Sequence, residues 1–266
     1  TNFCTPLRGV YTVGAGLDYN TPDEAAQAVL LCGVSGPVTF NIAPGTYGRV
    51  DLTGEILGTS ATNTVTFNGG SPSQVTIEST TGNAAVRLES VDWVTFRNVS
   101  IVALSALSYS WGVFLTDSAD HNTIASCLVQ VATSTTSSLI AAVVASGSQP
   151  STSLTGYNAR NTTISNSRIE GGYYGIRLNG VNTTTIYDFG NRLLNNVVTD
   201  YYFYGIYMYC QDSMQVNGNE VIQSRPNISA DAIYLNDVAN FECIGNEALE
   251  ASDYGLWISD AHFLGF

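Results

Sequence analysis

The sequence predicts an all-β fold, a single right-handed parallel β-helix entered through one short helix. Three observations predict it: a strand motif that returns seven times, columns of matched residues inside that motif, and a single segment with helical spacing. The helix is expected over about 22–32. Thr21-Pro22-Asp23-Glu24 is a capping box with proline at the first helical position. Ala25, Ala28, Val29 and Cys32 follow at helical spacing, and Gly33 ends the element. Residues 1–36 are expected to form an N-terminal cap, because a bare coil exposes apolar side chains and unpaired strand edges.

Residues 37–266 read as the β-helix itself. Residues 38–42, 65–67 and 75–77 are early coils, and the repeat becomes regular at Ala84. Segments 84–88, 111–115, 141–145, 174–178, 204–208, 231–235 and 254–258 align on small residues spaced by 27, 30, 33, 30, 27 and 23. Period two then assigns faces. Val86, Val113, Val143, Ile176, Ile206, Ile233 and Leu256 face inward, while Arg87, Phe114, Val144, Arg177, Tyr207, Tyr234 and Trp257 face outward. A second strand follows in each repeat, for example at Val94-Thr95-Phe96, Thr162-Thr163-Ile164, Thr185-Ile186 and Glu242-Cys243. Units this short cannot bury a core alone, so like strands stack in parallel ~4.8 Å apart. The chain is expected to break off inside a coil at its C-terminal end, with further domains beyond Phe266.

Only 12% of the residues are charged, against about 25% in typical soluble domains. Net charge is −13 with no cluster of basic residues, which excludes a phosphate-neutralising nucleic-acid surface. No apolar run reaches the ~18 residues of a membrane helix. Five cysteines without a C-x-x-C pair argue against a zinc site and a disulfide scaffold. A bridge between Cys4 and Cys32 would tie the N-terminal arm to the helix, while Cys243 takes an inward core position. The composition points to an extracellular or cell-surface protein.

The segment 11–19, the capped helix and Gly36-Pro37-Val38-Thr39-Phe40-Asn41-Ile42-Ala43-Pro44-Gly45-Thr46-Tyr47 together resemble the N-terminal part of pectin-lyase-like β-helix proteins. The repeats resemble their N-x-I…Y-G-I-x-L pattern, closest in flavour to secreted or surface proteins of Bacteroidota. That resemblance implies a type IX secretion route with a signal beyond Phe266. Pectin methylesterases share this start, but the residue two after Tyr47 is Arg49 where they carry an acid, and Tyr187-Asp188-Phe189-Gly190 only faintly echoes one of their aspartate motifs.

Four groups of residues bear on chemistry. Asp117-Ser118-Ala119-Asp120-His121 sets a histidine beside two carboxylates, as glycoside hydrolysis would need, but Asp117 falls in a turn column that tolerates Asp and Gly. Asp237 with Asp260, and Glu220 with Glu247, stack like charges on adjacent coils, which is destabilising unless offset. Solvated carboxylates are the plainer reading, and calcium is the candidate cofactor for these oxygens if the pairs are offset by an ion. Tyr207, Tyr234 and Trp257 form an outward ladder, read either as a glycan-binding surface or as a self-stabilising stack. Asn98, Asn161, Asn182 and Asn227 head N-x-S/T sequons.

The expected function is therefore a non-catalytic adhesin, stalk or glycan-binding module, with a neutral polysaccharide or another surface protein as partner. The alternative is a carbohydrate-active enzyme, a polysaccharide lyase or glycoside hydrolase. An enzyme should show a cleft in which carboxylates, or a carboxylate and an arginine, converge.

Overall fold

The computed structural model describes residues 4–81, 83–104, 109–182 and 187–262. The chain winds through three parallel sheets of nine, eight and nine strands, which we call A, B and C. Each coil passes from C to A to B and returns to C one strand further along. The result is the right-handed parallel β-helix that the repeat predicts.

The first turn differs. Leu7–Val13 is already a strand of sheet A and pairs in parallel with Val34–Ile42. Between them the helix Pro22–Cys32 takes the place of a B and a C strand. Its N-cap Thr21 accepts from the Glu24 N–H at 3.1 Å, while Glu24 accepts from the Asn20 N–H at 2.7 Å. Ala25, Ala26 and Val29 are buried against the core, and a disulfide joins Cys4 to Cys32.

Three inward columns fill the solenoid. In sheet A, Tyr11, Phe40, Phe67, Phe96, Ile124, Ile164, Leu193, Val216 and Cys243 are in register. Phe67 and Phe96 stack at 4.7 Å. Sheet A departs from expectation in one coil: the strand after Thr163–Ser165 is Arg192–Leu194. Thr185-Ile186 lies outside the described residues.

In sheet C the expected inward column is in register, with Ile176, Ile206 and Ile233 buried, but Leu256, in the last described strand, is 46% exposed and not buried as expected. The small-residue column also faces inward, immediately before it. A Cβ on Gly205 would lie 2.3 Å from Val221 Cγ1 and 2.7 Å from the Ala232 carbonyl oxygen. Two successive residues therefore point into the core at this corner, and only Gly or Ala leaves room for sheet B beneath.

The corners carry the polar bookkeeping. Asn219 Oδ1 accepts from the N–H and side-chain amide of Asn196, and Asn246 Oδ1 does the same for Asn219, at 2.9–3.0 Å. Such ladders satisfy backbone groups that a buried turn would otherwise leave unpaired. One contact skips coils. Arg225, in a B-to-C connection, donates to the Thr135 carbonyl at 2.7 Å across 90 residues and sits 5.1 Å over the Tyr202 ring.

Candidate functional site

The outer face of sheet C carries three side-chain columns. One is Arg87, Phe114, Val144, Arg177, Tyr207, Tyr234 and Trp257, in register as predicted. Beside it runs Trp111, Ala141, Tyr174 and Tyr204, and beyond it a polar column from Glu89 and Thr116 to Asn236 and Ser259.

The outward column covers itself. Tyr207 and Tyr234 stack at 4.7 Å, and Tyr234 and Trp257 at 4.4 Å, with interplanar angles of 15° and 17°. Arg177 is buried between Tyr174 and Tyr207, its guanidinium 4.6 and 4.7 Å from the two ring centres, and its Nε donates to Asn179 Oδ1 at 2.9 Å. Each ring thus occupies its neighbour's faces. Tyr234 is 8% exposed, whereas Trp257, at the end of the file, is 38% exposed. Aromatic pairs of this kind contribute ~0.5–1.5 kcal/mol each. A sugar ring finds no free flat face at Tyr234, whose two faces are taken by Tyr207 and Trp257.

Further along the same face, toward the N-terminus, lies an open groove of about 580 Å³. Phe114 forms its floor, with Arg87 and Glu89 ion-paired on one side, Asp117 at the corner, and Gln149 and Tyr157 on the opposite wall. Asp117 Oδ2 accepts from the Ser90 hydroxyl at 2.8 Å. Gln149 Nε2 is buried with no acceptor. Tyr157 is 47% exposed. A carboxylate and an arginine do therefore converge in a cleft.

The wall is held from behind. Asn158 Nδ2 donates to the Asn179 carbonyl at 2.7 Å, and Asn179 Nδ2 donates to the carbonyls of Ala145 and Thr152 at 2.6 and 2.8 Å. Asp188 Oδ2 accepts the N–H groups of Asn158 and Ala159 at 3.1 and 3.2 Å, while its Oδ1 has no partner. Burial pushes the Asp188 carboxyl up to about 7, against the two N–H bonds that favour the charged form. The motif containing Asp188 therefore supplies an interior anchor, not an accessible carboxylate.

The Asp117–His121 segment does not converge on one point. Asp117 lines the groove. Asp120 turns away and receives the Arg160 N–H at 2.8 Å, with its guanidinium at 2.7 Å. His121 stacks on Trp93 at 4.1 Å. Both rings sit on left-handed backbone, φ 58° and 63°, at a corner where other coils place Asn161, Gly190 and Ser213.

Of the acidic pairs, Asp237 and Asp260 border a small groove with His262, and Glu220 pairs in register with Glu247. Asp237 Oδ1 accepts from the Tyr187 hydroxyl at 2.9 Å and lies 3.4 Å from His262 Nε2, and its Oδ2 accepts from Cys210 Sγ at 3.4 Å. These groups satisfy the Asp237 carboxylate oxygens. Cys210 occupies the same turn position as Asp237 and Asp260 one and two coils on, a match that column alignment could have supplied. Burial and Asp237 push its thiol up to about 12, and burial pushes Cys127 up to about 11. Among the described residues, no group of three or more His, Cys, Asp or Glu side chains is arranged to hold a metal ion. No helix among them is long and apolar enough to cross a membrane.

The fold is similar to two solved esterases. Pectin methyl esterase of the rice weevil matches with a TM-score of 0.52 at 12% identity, over 100% of this chain and 92% of that one. Pectin methylesterase of Aspergillus niger matches with a TM-score of 0.50 at 13% identity, over 98% and 88%. At such identity the likeness is one of fold. No curated protein matches the chain. The Bacteroidota resemblance finds no support in these likenesses. A family model does match residues 122–263, more than half of the chain and five of its seven repeats, so the protein belongs to the family described as periplasmic copper-binding protein (NosD).

Proposed function

We propose that the protein is a non-catalytic, glycan-binding β-helix that works outside the cytoplasm, as an adhesin or stalk whose ligand is a neutral polysaccharide. The observation that carries this reading is the outer face of sheet C. It combines an open groove rimmed by Tyr157 with a neighbouring polar column on one side of the molecule. The rim ring supplies stacking surface and the polar column supplies hydroxyl partners, while the −13 charge disfavours an acidic polymer. The family's description names the periplasm, which supports a location beyond the inner membrane.

That description also names copper, and the residues of this chain do not fit a copper centre. Cys127, Cys210 and Cys243 are engaged separately, Cys127 with the Phe96 and Ala125 carbonyls, Cys210 with Asp237 and Cys243 with Asn246. Met208 and Met214 are buried in the core. No step is therefore assigned to copper.

The alternative, a carbohydrate-active enzyme, draws support from Arg87, Glu89 and Asp117 meeting in the groove and from the esterase folds. Affinity electrophoresis through gels containing neutral or acidic polysaccharides separates the readings. Retardation by a neutral polymer with no product formed supports the binding module. Turnover, seen as reducing ends, methanol or unsaturated ends, replaces it with the enzyme. Equal mobility in every gel removes the glycan reading.

A further inference from the structure

We infer that the groove between Arg87 and Tyr157, rather than the aromatic ladder, is the subsite that holds the sugar, and that it takes a neutral pyranose unit of a polysaccharide. This inference rests on the glycan-binding reading and specifies where and how that binding occurs.

Four features carry it. The ladder's ring faces are filled by one another, so Tyr207 and Tyr234 offer edges to a ligand. The groove, by contrast, offers a ring that is still accessible: Tyr157 stands 47% exposed at its rim, with the Arg160 guanidinium 5.8 Å from the ring centre. Its volume of about 580 Å³ falls within the ~300–1,000 Å³ typical of small-molecule sites. Its polar groups also suit hydroxyls: Glu89 and Asp117 accept, and the Gln149 side chain lines the wall.

Charge chooses among sugars. Glu89 and Asp117 outnumber Arg87, which Glu89 already engages. The groove is therefore net negative and disfavours a uronate carboxylate, while carboxylates are strong acceptors for neutral hydroxyls. The site is also preorganised. The chain that forms its wall is fixed through Asn158, Asn179 and Asp188, all buried, so little ordering remains to be done on binding.

The test uses Tyr157→Ala, which removes the exposed ring, Gln149→Glu, which keeps the side chain's size but replaces the donor, and Trp257→Ala at the ladder's end. Binding to a panel of soluble neutral polysaccharides is measured by affinity electrophoresis and calorimetry, with circular dichroism confirming the fold. Tyr157→Ala and Gln149→Glu are each expected to bind roughly five- to tenfold more weakly, the effect of losing one good contact. Trp257→Ala should bind like the parent, and polygalacturonate more weakly than the neutral polymers. Parent-like binding by both groove variants overturns the inference while leaving the glycan reading intact, as does loss confined to Trp257→Ala. Tighter binding of polygalacturonate overturns the choice of a neutral sugar. Failure of the parent to bind any polymer removes the glycan reading itself.

Discussion

Replacing Asp188 with asparagine should make the protein more stable at neutral pH and remove part of its pH dependence. The carboxyl is fully buried behind the groove, with one oxygen holding two backbone N–H groups and the other unpartnered. Its pKa rises to about 7 from an unfolded value near 3.9. A carboxyl raised in this way favours the folded state below its unfolded pKa, and that contribution is lost as pH rises through about 7. At roughly 1.4 kcal/mol per unit, the loss between pH 4 and 7 is of the order of 4 kcal/mol at most. Asparagine keeps an oxygen for the two N–H groups and cannot ionise. Urea unfolding of parent and Asp188→Asn at pH 4, 5.5, 7 and 8.5 reads the difference directly. The variant's advantage should grow across pH 4–7 and then level off. A constant difference over that range, or a variant less stable than the parent at pH 8.5, would refute the reasoning.

Other changes probe the frame. Ile206→Ala should cost ~2–5 kcal/mol in urea unfolding, because the side chain is fully buried within a continuous column. Gly205→Val should be worse tolerated than Ala232→Gly on the next coil, since even a methyl at 205 would meet the Ala232 carbonyl at 2.7 Å; overpacking of ~1–3 kcal/mol is expected and soluble yield should fall with it. Reducing the Cys4–Cys32 bridge, which spans 28 residues, should lower stability by about 3–4 kcal/mol on the loop-entropy estimate, with Cys4→Ser as the non-reducing check. At Asp237, which already has three partners in the protein, calcium should add nothing, so melting curves in chelator and in millimolar calcium should coincide; a rise in melting temperature with calcium would support an ion at Asp237/Asp260 or at Glu220/Glu247.

The solenoid was legible because it repeats. A column such as Val86, Val113, Val143 and Ile176 states its own register, and period two fixes which neighbour faces out. The inward turn of the small residues was not legible, because strict alternation hides two successive inward positions. It is the Val221 side chain beneath Gly205 that explains them. The ladder was legible as a column but not as a closed stack, since ring packing depends on side-chain tilt. The groove was least legible, because its wall comes from the segment after Ala145, which folds back over sheet C. Its one trace was the 33-residue interval between Ala142 and Gly175, the longest of the six intervals between repeats.

A solenoid whose coils touch only their neighbours should fray like a zipper, losing coils one at a time from an open end. Arg225 changes that mechanics. Its guanidinium passes over Tyr202, lies 3.5 Å from the Gly172 carbonyl and grips Thr135, so one side chain spans three successive connections. Peeling from the last coil can proceed freely to residue 225 and must then release three coils together. The molecule behaves there as a clasped belt, and amide exchange should fall in a step at this clasp instead of along a gradient.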